Sequence, residues 1–323
     1  LKMAGTFTVA AKELRDQFGS KRFLILFALV LLLSILTAYQ GVDFIRDNEA
    51  AGFVNIFSGS QFGFSFIQIM VFAGPLLGLA LGFDAINKER ANGTLSILLG
   101  QPIFRDSVIN GKFIAGAAAL LTISVGTIVI LSGLAIPMLG FGPTGADALK
   151  ILVLSLLTIV YLVFWLTLGI LYSVLAKKTS TSIMASIATW LIFSIVLSVL
   201  ASAIAGMIVP LPGRDLTMGG QGGQGRLRIS PEFREMMQKR QVVRSTIQKL
   251  SPTNLYAEAA SDILGVTGGF MHGMGFQEFR RTLTLTEALV ANWANIATLV
   301  VGIVICFAIS YMRFLRSEIR PGD

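Results

Sequence analysis

The stretch IMASIATWLIFSIVLSVLASAIAGMIV, residues 183–209, contains no Asp, Glu, Lys or Arg over 27 consecutive positions. About 20 apolar residues are enough for an α-helix to cross the hydrocarbon core of a bilayer. A backbone surrounded by lipid must satisfy its own hydrogen bonds, so a run of this kind forms a helix rather than an isolated strand or a loop. The stretch therefore predicts a transmembrane helix.

Five more runs without charged residues predict five more spans. They are 23–39, 61–83, 113–136, 151–176 and 288–312. The first run is preceded by Lys21 and Arg22, lacks a small-residue cleavage site and is followed by further runs, so it is predicted to be a span and not a signal peptide. The predicted fold class is an all-α, polytopic membrane protein with six transmembrane helices.

Composition excludes the other broad classes. Of 323 residues, 54% are hydrophobic and 14% are charged, whereas an ordinary soluble protein carries about 25% charged residues. The single cysteine, Cys306, leaves no partner for an internal disulfide. The net charge of +8 is attributed to loops that orient the spans, so no nucleic-acid partner is expected.

No catalytic site, cofactor or metal is expected in this chain. His272 is the only histidine, so neither a multi-histidine metal site nor a Ser-His-Asp triad can be assembled. Gly220, Gly222 and Gly225 match G-x-G-x-x-G but lie in a glycine-rich linker, 219–225, instead of between a strand and a helix. The sequence has no P-loop, so the chain is not expected to hydrolyse a nucleoside triphosphate by that route.

The distribution of Lys and Arg predicts the orientation of the spans. Fourteen of these residues lie in one set of segments, 1–22, 84–112, 177–182 and 313–323. The opposite short loops, 40–60 and 137–150, hold two. By the positive-inside rule both termini are predicted to be cytoplasmic, in a cell membrane. Residues 210–287 then lie outside, and at 78 residues this segment is too long for its ten basic residues to count against the rule.

The chain divides into five predicted regions. These are an interfacial helix in 1–22, spans one to five in 23–209 with a cytoplasmic loop at 84–112, an extracytoplasmic helical segment in 210–287, the sixth span in 288–312 and a tail in 313–323. The first region has an apolar stripe of Val9, Leu14 and Phe18 beside charged residues, which is typical of a helix lying in the membrane interface. An ordinary cytosolic helix is the alternative.

Two amphipathic helices are predicted in the outer segment, starting at Ser230-Pro231 and Ser251-Pro252. The first has a predicted apolar face of Phe233, Met236, Met237, Val243, Ile247 and Leu250, with Arg234, Lys239, Arg244 and Lys249 around it. Gly265 stops the second, and Thr284 with Glu287 forms a capping box that opens the last span. The two helices can pack on each other, on the spans or on lipid headgroups, and the sequence leaves all three open.

A glycine face precedes the loop at 84–112. Gly74, Gly78 and Gly82 recur every four residues, a spacing that permits close approach of another helix, and Pro75 adds a local kink. Two interpretations remain open: packing within one chain, or a role at a moving interface.

The loop itself contains two predicted short helices. Charges at Asp84, Lys88, Glu89 and Arg90 end the membrane helix but allow it to continue for a turn or two, until Gly93 stops it. Thr94 can cap a second helix with an apolar face of Leu95, Leu98 and Leu99, which Gly100 and Pro102 end. An apolar face of this kind is typical of a helix that docks in a groove on a partner protein. The alternative is a helix that lies on the membrane surface.

The stretch 82–105, Gly-Phe-Asp-x-Ile-x-x-Glu-x-x-x-Gly-Thr-Leu-x-x-Leu-Leu-x-x-Pro-Ile-x-Arg, followed by Gly111-Lys112, resembles the membrane subunits of type-two ABC exporters from bacteria and archaea. Lys12-Glu13-Leu14-Arg15 is similar to the interfacial helix of that family, and Ser251-Pro252 to a weaker family feature. Residues 212–250 match no family feature.

The resemblance implies a homodimer, or a dimer with a related permease, served by two separate cytosolic ATPase subunits that bind ATP and Mg. It implies that the loop after the second span contacts the ATPase, while this chain binds no cofactor and is not an enzyme. The implied contact residues are Asn87, Lys88, Glu89, Arg90, Gly93, Thr94, Leu95, Leu98, Leu99 and Arg105.

Three functions are weighed at this point. The first is a permease that moves an unidentified substrate outward. The second is a mechanical role, in which ATP-driven motion acts on an extracytoplasmic partner through 210–287, as in the permease of nitrous-oxide reductase maturation. The third is an ion-coupled carrier, which the absence of ionisable residues from the interior of the six runs disfavours.

Overall fold

The computed structural model describes residues 2–47, 52–57, 65–94, 104–210, 231–265 and 283–316. Every regular element in these ranges is helical. The α-helices in chain order are α1 Lys2–Phe18, α2 Lys21–Asp47, α3 Phe66–Gly82, α4 Asn87–Ala91, α5 Arg105–Leu139, α6 Gly145–Leu175, α7 Thr179–Leu191, α8 Leu197–Ile208, α9 Pro231–Gln248, α10 Pro252–Leu264 and α11 Leu285–Arg316. A 3₁₀ turn, Phe53–Phe57, follows α2, and a π-helical turn, Ile192–Val196, joins α7 to α8.

Six helical stretches are long and apolar enough to cross a membrane, as the sequence predicted. They are Lys21–Asp47, Phe66–Ala91, Arg105–Leu139, Gly145–Leu175, Thr179–Ile208 and Leu285–Arg316. The helices extend beyond the charge-free runs. The third run was placed at 113–136, yet α5 begins at Arg105, because a helix continues into charged sequence once its residues leave the lipid.

Helix α6 is the centre of the bundle, and glycines on its neighbours bring their backbones against it. A Cβ built on Gly78 of α3 would lie 2.7 Å from the carbonyl oxygen of Leu162. A Cβ on Gly302 of α11 would lie 2.6 Å from a ring carbon of Phe164. The neighbouring atom at Gly78 is backbone, so a larger residue there forces α3 and α6 apart, whereas at Gly302 the Phe164 ring has to shift.

The bundle has two ends, which we call proximal and distal. At the proximal end, an Arg22–Asp84 ion pair at 2.8 Å joins the start of α2 to the turn after α3. At the distal end, Arg46 Nη2 donates to the carbonyl oxygen of Met138 at 2.7 Å, which joins the end of α2 to the end of α5. The segment 83–94 is therefore proximal, and the start of α6 is distal.

Helix α10 packs on the spans, one of the three arrangements that the sequence left open. Its Tyr256 is fully buried and stacks on Tyr161 of α6, with ring centroids 4.3 Å apart. The Tyr256 hydroxyl lies 3.0 Å from Thr158 Oγ1. Thr158 is near the middle of α6, so the first turns of α10 reach about half the height of the bundle. The capping box predicted for the last span is present: Thr284 N–H donates to Glu287 Oε2 at 2.9 Å.

Helix α9 lies along α8 and runs from the distal end of α8 towards the middle of the bundle. Arg240 contacts the distal turn of α8, where a Cβ on Gly206 would lie 3.1 Å from the guanidinium Nη2. After α9, Ser251 Oγ donates to the carbonyl oxygen of Phe193, in the π-helical turn, at 2.8 Å. The predicted apolar face of α9 was wrong at one end. Leu250 is 69% exposed, whereas Arg244 is half-buried, because long basic side chains can lay their methylene groups on an apolar neighbour.

Candidate coupling site

An ion triad joins three separate elements at the proximal end. Lys112, near the start of α5, is 5% exposed. Its Nζ lies 2.9 Å from Glu89 Oε1 in α4 and 3.1 Å from Glu13 Oε1 in α1. A buried ammonium is tolerated only when anionic partners replace the water it has lost. The triad therefore holds α1, α4 and α5 at fixed distances from one another.

The turn before α4 is attached to the proximal end of α6. The backbone N–H groups of Ile86 and Asn87 donate to Ser173 Oγ at 2.9 and 3.1 Å. Ser173 is fully buried, and Asn87 is 1% exposed. Ser182 Oγ of α7 donates to the carbonyl oxygen of Phe83 at 2.7 Å. One short segment thus contacts both α6 and α7 through hydrogen bonds with little access to water, where such bonds are strongest.

Helix α1 packs on the first turns of α5. Val9 is 5% exposed, and a Cβ on Gly111 would lie 2.7 Å from Val9 Cγ1. Leu14 and Phe18, the other members of the predicted apolar stripe, also pack against the core. The stripe therefore faces the protein at these three residues.

The glycine face of α3 is packed against α6 within one chain. A Cβ on Gly82 would lie 2.5 Å from the carbonyl oxygen of Leu166, and one on Gly74 would lie 3.0 Å from a ring carbon of Tyr161. Pro75 is buried beside them. Since α3 leads directly into the 83–94 segment, a displacement of that segment acts on α6 through this contact and through Ser173.

A sequence profile of the ABC-2 family transporter protein matches residues 7–319. The chain belongs to this family. It is 31% identical over 141 residues to the probable ABC transporter permease protein NosY of Pseudomonas aeruginosa, a match that covers 44% of this chain and 48% of the relative. The corresponding protein of Stutzerimonas stutzeri is 30% identical over 123 residues, 38% of this chain and 42% of the relative. The matches span somewhat less than half the length of these relatives.

Membership in the ABC-2 family confirms the resemblance read from 82–105. The chain is a multi-pass membrane protein and an ABC-2 permease subunit. Such subunits are the non-catalytic membrane components of ABC transporters, and they imply an ATPase partner.

The residues predicted to contact that ATPase fall into three groups in this ABC-2 permease. Lys88, Gly93, Thr94 and Arg105 are exposed, and Arg90 is half-exposed. Asn87 is buried, and the Glu89 side chain is 14% exposed and bound to Lys112. Leu95, Leu98 and Leu99 lie outside the described residues, as do Gly100, Pro102, the 219–225 linker, Ser230 and His272. Gly93 has a φ of +69°, a backbone conformation that favours glycine and ends α4 as predicted.

The sequence did not predict that Glu13 and Glu89 both pair with Lys112 at this site. Lys112 was quoted as part of the family pattern, and Glu13 as part of the interfacial helix, without any indication that they meet. The available signal was a lysine directly before a long apolar run. A buried lysine needs a carboxylate close by, and of the two acidic residues in the family pattern Glu89 supplies it, while Asp84 pairs with Arg22.

A polar cluster in the distal half of the bundle also escaped sequence analysis. Asn292 Nδ2 of α11 donates to Asp262 Oδ2 of α10 at 2.8 Å, and Asn295 Nδ2 donates to Glu258 Oε2 at 3.2 Å. The two asparagines are 2% and 8% exposed. The charge-free runs are as predicted, but α10 brings two carboxylates beside the last span. The argument against an ion-coupled carrier therefore applies to the six runs and not to the whole bundle.

Proposed function

We propose that this permease is the membrane subunit of an ATP-driven exporter and that its 84–105 loop receives the stroke of a separate cytosolic ATPase. The observation that carries this proposal is the Glu89–Lys112–Glu13 triad. A loop that only connects two spans has no need of a buried ion cluster, because such clusters contribute little net stability. A loop that transmits force must be held rigidly by the elements it moves.

The exposed face of the loop is the proposed ATPase contact. Its buried face is proposed to transmit the motion to the spans. Lys88 and Thr94 are free to meet a partner surface, together with the apolar helix predicted at Leu95–Leu99. Glu89 and Asn87 act beneath that surface. A displacement of α4 then moves α5 and α1 through Lys112, and moves α6 through Ser173. Because α3, α5, α10 and α11 pack on α6, the motion reaches the distal half of the bundle.

The proposed orientation places this site in the cytoplasm. The fourteen Lys and Arg residues of the proximal segments, against two on the opposite short loops, support it. The same orientation puts α9 and α10 on the extracytoplasmic side.

A second copy of the chain, or a related permease, is the proposed occupant of the exposed flank. Span Thr179–Ile208 and span Leu285–Arg316 are the least buried of the six, and Met184 and Met207 are 72% and 82% exposed. An apolar groove also runs along α2, lined by Leu24, Phe27, Ala28, Leu31, Leu32, Ile35 and Leu36. These faces support a dimer in which substrate moves outward between the subunits.

The mechanical role is the second candidate. The burial of α10 against α6 and α11 favours it, because motion of the spans moves α10 directly. An extracytoplasmic partner bound by 210–287 receives that motion whether or not a substrate crosses.

Crosslinking in membranes tests the proposed ATPase contact. In a Cys306→Ser background, Lys88→Cys is expected to form a crosslink with the co-expressed ATPase partner. Val290→Cys, which is also exposed, at 72%, but lies near the distal start of α11, is the control for position and is expected to give none. A crosslink at Val290→Cys without one at Lys88→Cys contradicts the proposal. The purified permease alone is expected to show no ATPase activity.

A further inference from the structure

The side chain of Asn87 is buried without a hydrogen-bond partner. The residue is 1% exposed, and among the described residues neither its Oδ1 nor its Nδ2 atom is bonded. Native proteins pair nearly all of their buried polar groups, so an exception of this kind needs a cause. Asn87 lies in the 83–94 segment, which the proposed function moves. A second position of that segment, in which the amide is bonded, accounts for the exception.

Ser186 of α7 is a second buried residue without a partner. It is 2% exposed, and its Oγ atom is unbonded within the described ranges. Ser182 lies four residues earlier, on the same face of α7, and its Oγ donates to the carbonyl oxygen of Phe83 at 2.7 Å. Since α7 starts at the proximal end, Ser186 lies about 6 Å deeper in the bundle than Ser182, at a rise of 1.5 Å per residue. This face of α7 thus offers two hydroxyl groups, and the 83–94 segment uses the first.

The 83–94 segment has the same spacing as the two serines. Lys88 N–H donates to the carbonyl oxygen of Asp84 at 3.1 Å, so the helical path continues beyond Phe83. Asn87 therefore lies four residues, or about one turn, further towards the proximal side, and α4 contacts α7 there. The two ladders are out of step by one turn. Phe83 is paired with Ser182, while Asn87 and Ser186 are left over at opposite ends.

We propose that Asn87 and Ser186 are positioning residues for the ATPase stroke, which moves the 83–94 segment inward along α7 by one turn. The Phe83 carbonyl oxygen then accepts from Ser186, and the Asn87 amide bonds to Ser182. An amide and a hydroxyl each contain a donor and an acceptor, so the new pair is complementary. One-turn shifts between packed elements are a known form of conformational switching. The proposal rests on the proposed function, in which the 84–105 loop receives the stroke.

One contact of the present position opposes the shift. The hydroxyl groups of Tyr172 in α6 and Thr189 in α7 lie 2.6 Å apart. The segment stays attached to α6 through Ser173, so α6 moves with it past α7 and the Tyr172–Thr189 bond breaks. The present position therefore has two hydrogen bonds to α7, and the shifted position has two others. Such a balance allows a partner subunit to move the equilibrium in either direction.

Spin-label distances in the assembled complex test the shift. In a Cys306→Ser background, one label is placed at Asn92→Cys, on the exposed end of the segment. The other is placed at Met207→Cys, which is 82% exposed near the distal end of α8. A non-hydrolysable ATP analogue is expected to shorten the distance between the labels by about 6 Å, the rise of four helical residues.

Variants of the two ladders are expected to change the population of the shifted position in opposite directions. Ser186→Ala and Asn87→Leu each remove a bond of the shifted position, so the ratio of shifted to unshifted complexes falls about fivefold. Tyr172→Phe removes a bond of the present position and raises that ratio by a similar factor. Ser186→Thr keeps the hydroxyl group and is expected to preserve the shift.

The controls separate positioning from folding. Ser186→Ala is expected to leave the melting temperature of the chain unchanged or higher, because its hydroxyl is unbonded in the present position. Ser124→Ala removes another buried, unpaired hydroxyl, on α5, and is expected to leave both the distance and ATP turnover unchanged. A wild-type distance that does not respond to the analogue overturns this proposal and the proposed function together. A normal response that persists in Ser186→Ala and Asn87→Leu overturns the one-turn shift alone and leaves the coupling role in place.

Discussion

At the scale of single residues, Lys112 is the one charged side chain that is buried among the residues that the structure describes. In the sequence Lys112 is a single lysine directly before an apolar run. In the fold it pairs with Glu13 of α1 and Glu89 of α4. The net free energy of such a triad is small, because desolvation offsets most of the attraction. The triad instead fixes geometry: without Lys112, Glu89 loses its cation, and Glu13 keeps only its exposed partner Lys12 at 3.1 Å.

Replacing Lys112 with Met is expected to destabilise the proximal end strongly. Breaking a buried ion pair on one side costs about 3–5 kcal/mol, because an uncompensated charge stays buried. Neutralising both carboxylates as well, in Lys112→Met/Glu13→Gln/Glu89→Gln, is expected to restore most of this loss. The melting temperature of the detergent-solubilised chain measures both effects. A single variant as stable as the wild type, or a triple variant no better than the single, contradicts the account of the triad.

The glycine contacts give a second prediction at this scale. Gly78→Ala places a methyl group 2.7 Å from the Leu162 carbonyl oxygen, and overpacking of this kind costs about 1–3 kcal/mol. Gly133→Ala in α5 is the matched control, since a Cβ there has nothing within 4 Å. The control is expected to stabilise its helix slightly, because alanine is the better helix former. Equal melting temperatures for the two variants count against close α3–α6 packing.

At the scale of elements, the spans could be predicted from sequence and their contacts could not. Charge-free runs report burial in lipid, so the number of spans was predictable from 183–209 and its counterparts. Helix α10 has only 13 residues and carries Glu258 and Asp262, so its composition resembles that of a surface helix. Those carboxylates pair with asparagines of α11 that lie 37 and 30 residues further along the chain. Amphipathicity indicates that a helix has a partner but not which one, so three packing arrangements stayed open.

Labelling tests the insertion of α10 into the bundle. Ala259 is fully buried, so Ala259→Cys in a Cys306→Ser background is expected to be protected from a membrane-impermeant maleimide. Adding Tyr256→Ala removes the ring that stacks on Tyr161 and is expected to expose that cysteine. Tyr256→Phe keeps the stacked ring and is expected to keep the protection. Rapid labelling of Ala259→Cys with Tyr256 intact would show that α10 stands outside the bundle.

At the scale of the whole molecule, contacts at the proximal end and contacts at half height act on the same central helix. The 83–94 segment is attached to α6 through Ser173, and α10 is attached to α6 through Tyr161. Sequence analysis located the first of these regions, because its glycine, acidic and leucine positions form a family pattern. It did not anticipate the common helix, because the residues that meet there are dispersed along the chain and individually unremarkable.

The most direct test of the central claim is ATP turnover by the assembled complex at equal yield of both subunits. Glu89→Gln and the charge-neutral triple variant Lys112→Met/Glu13→Gln/Glu89→Gln alter the buried side of the loop and leave the exposed Lys88 and Thr94 in place. Both variants are expected to retain the ATPase through co-purification, while stimulation of its turnover by the permease falls about tenfold or more, the effect of losing roughly 1.4 kcal/mol of coupling. The exposed variant Lys88→Gln, by comparison, is expected to weaken binding first. Wild-type binding and wild-type turnover in both buried-side variants would contradict the claim that this loop transmits the stroke.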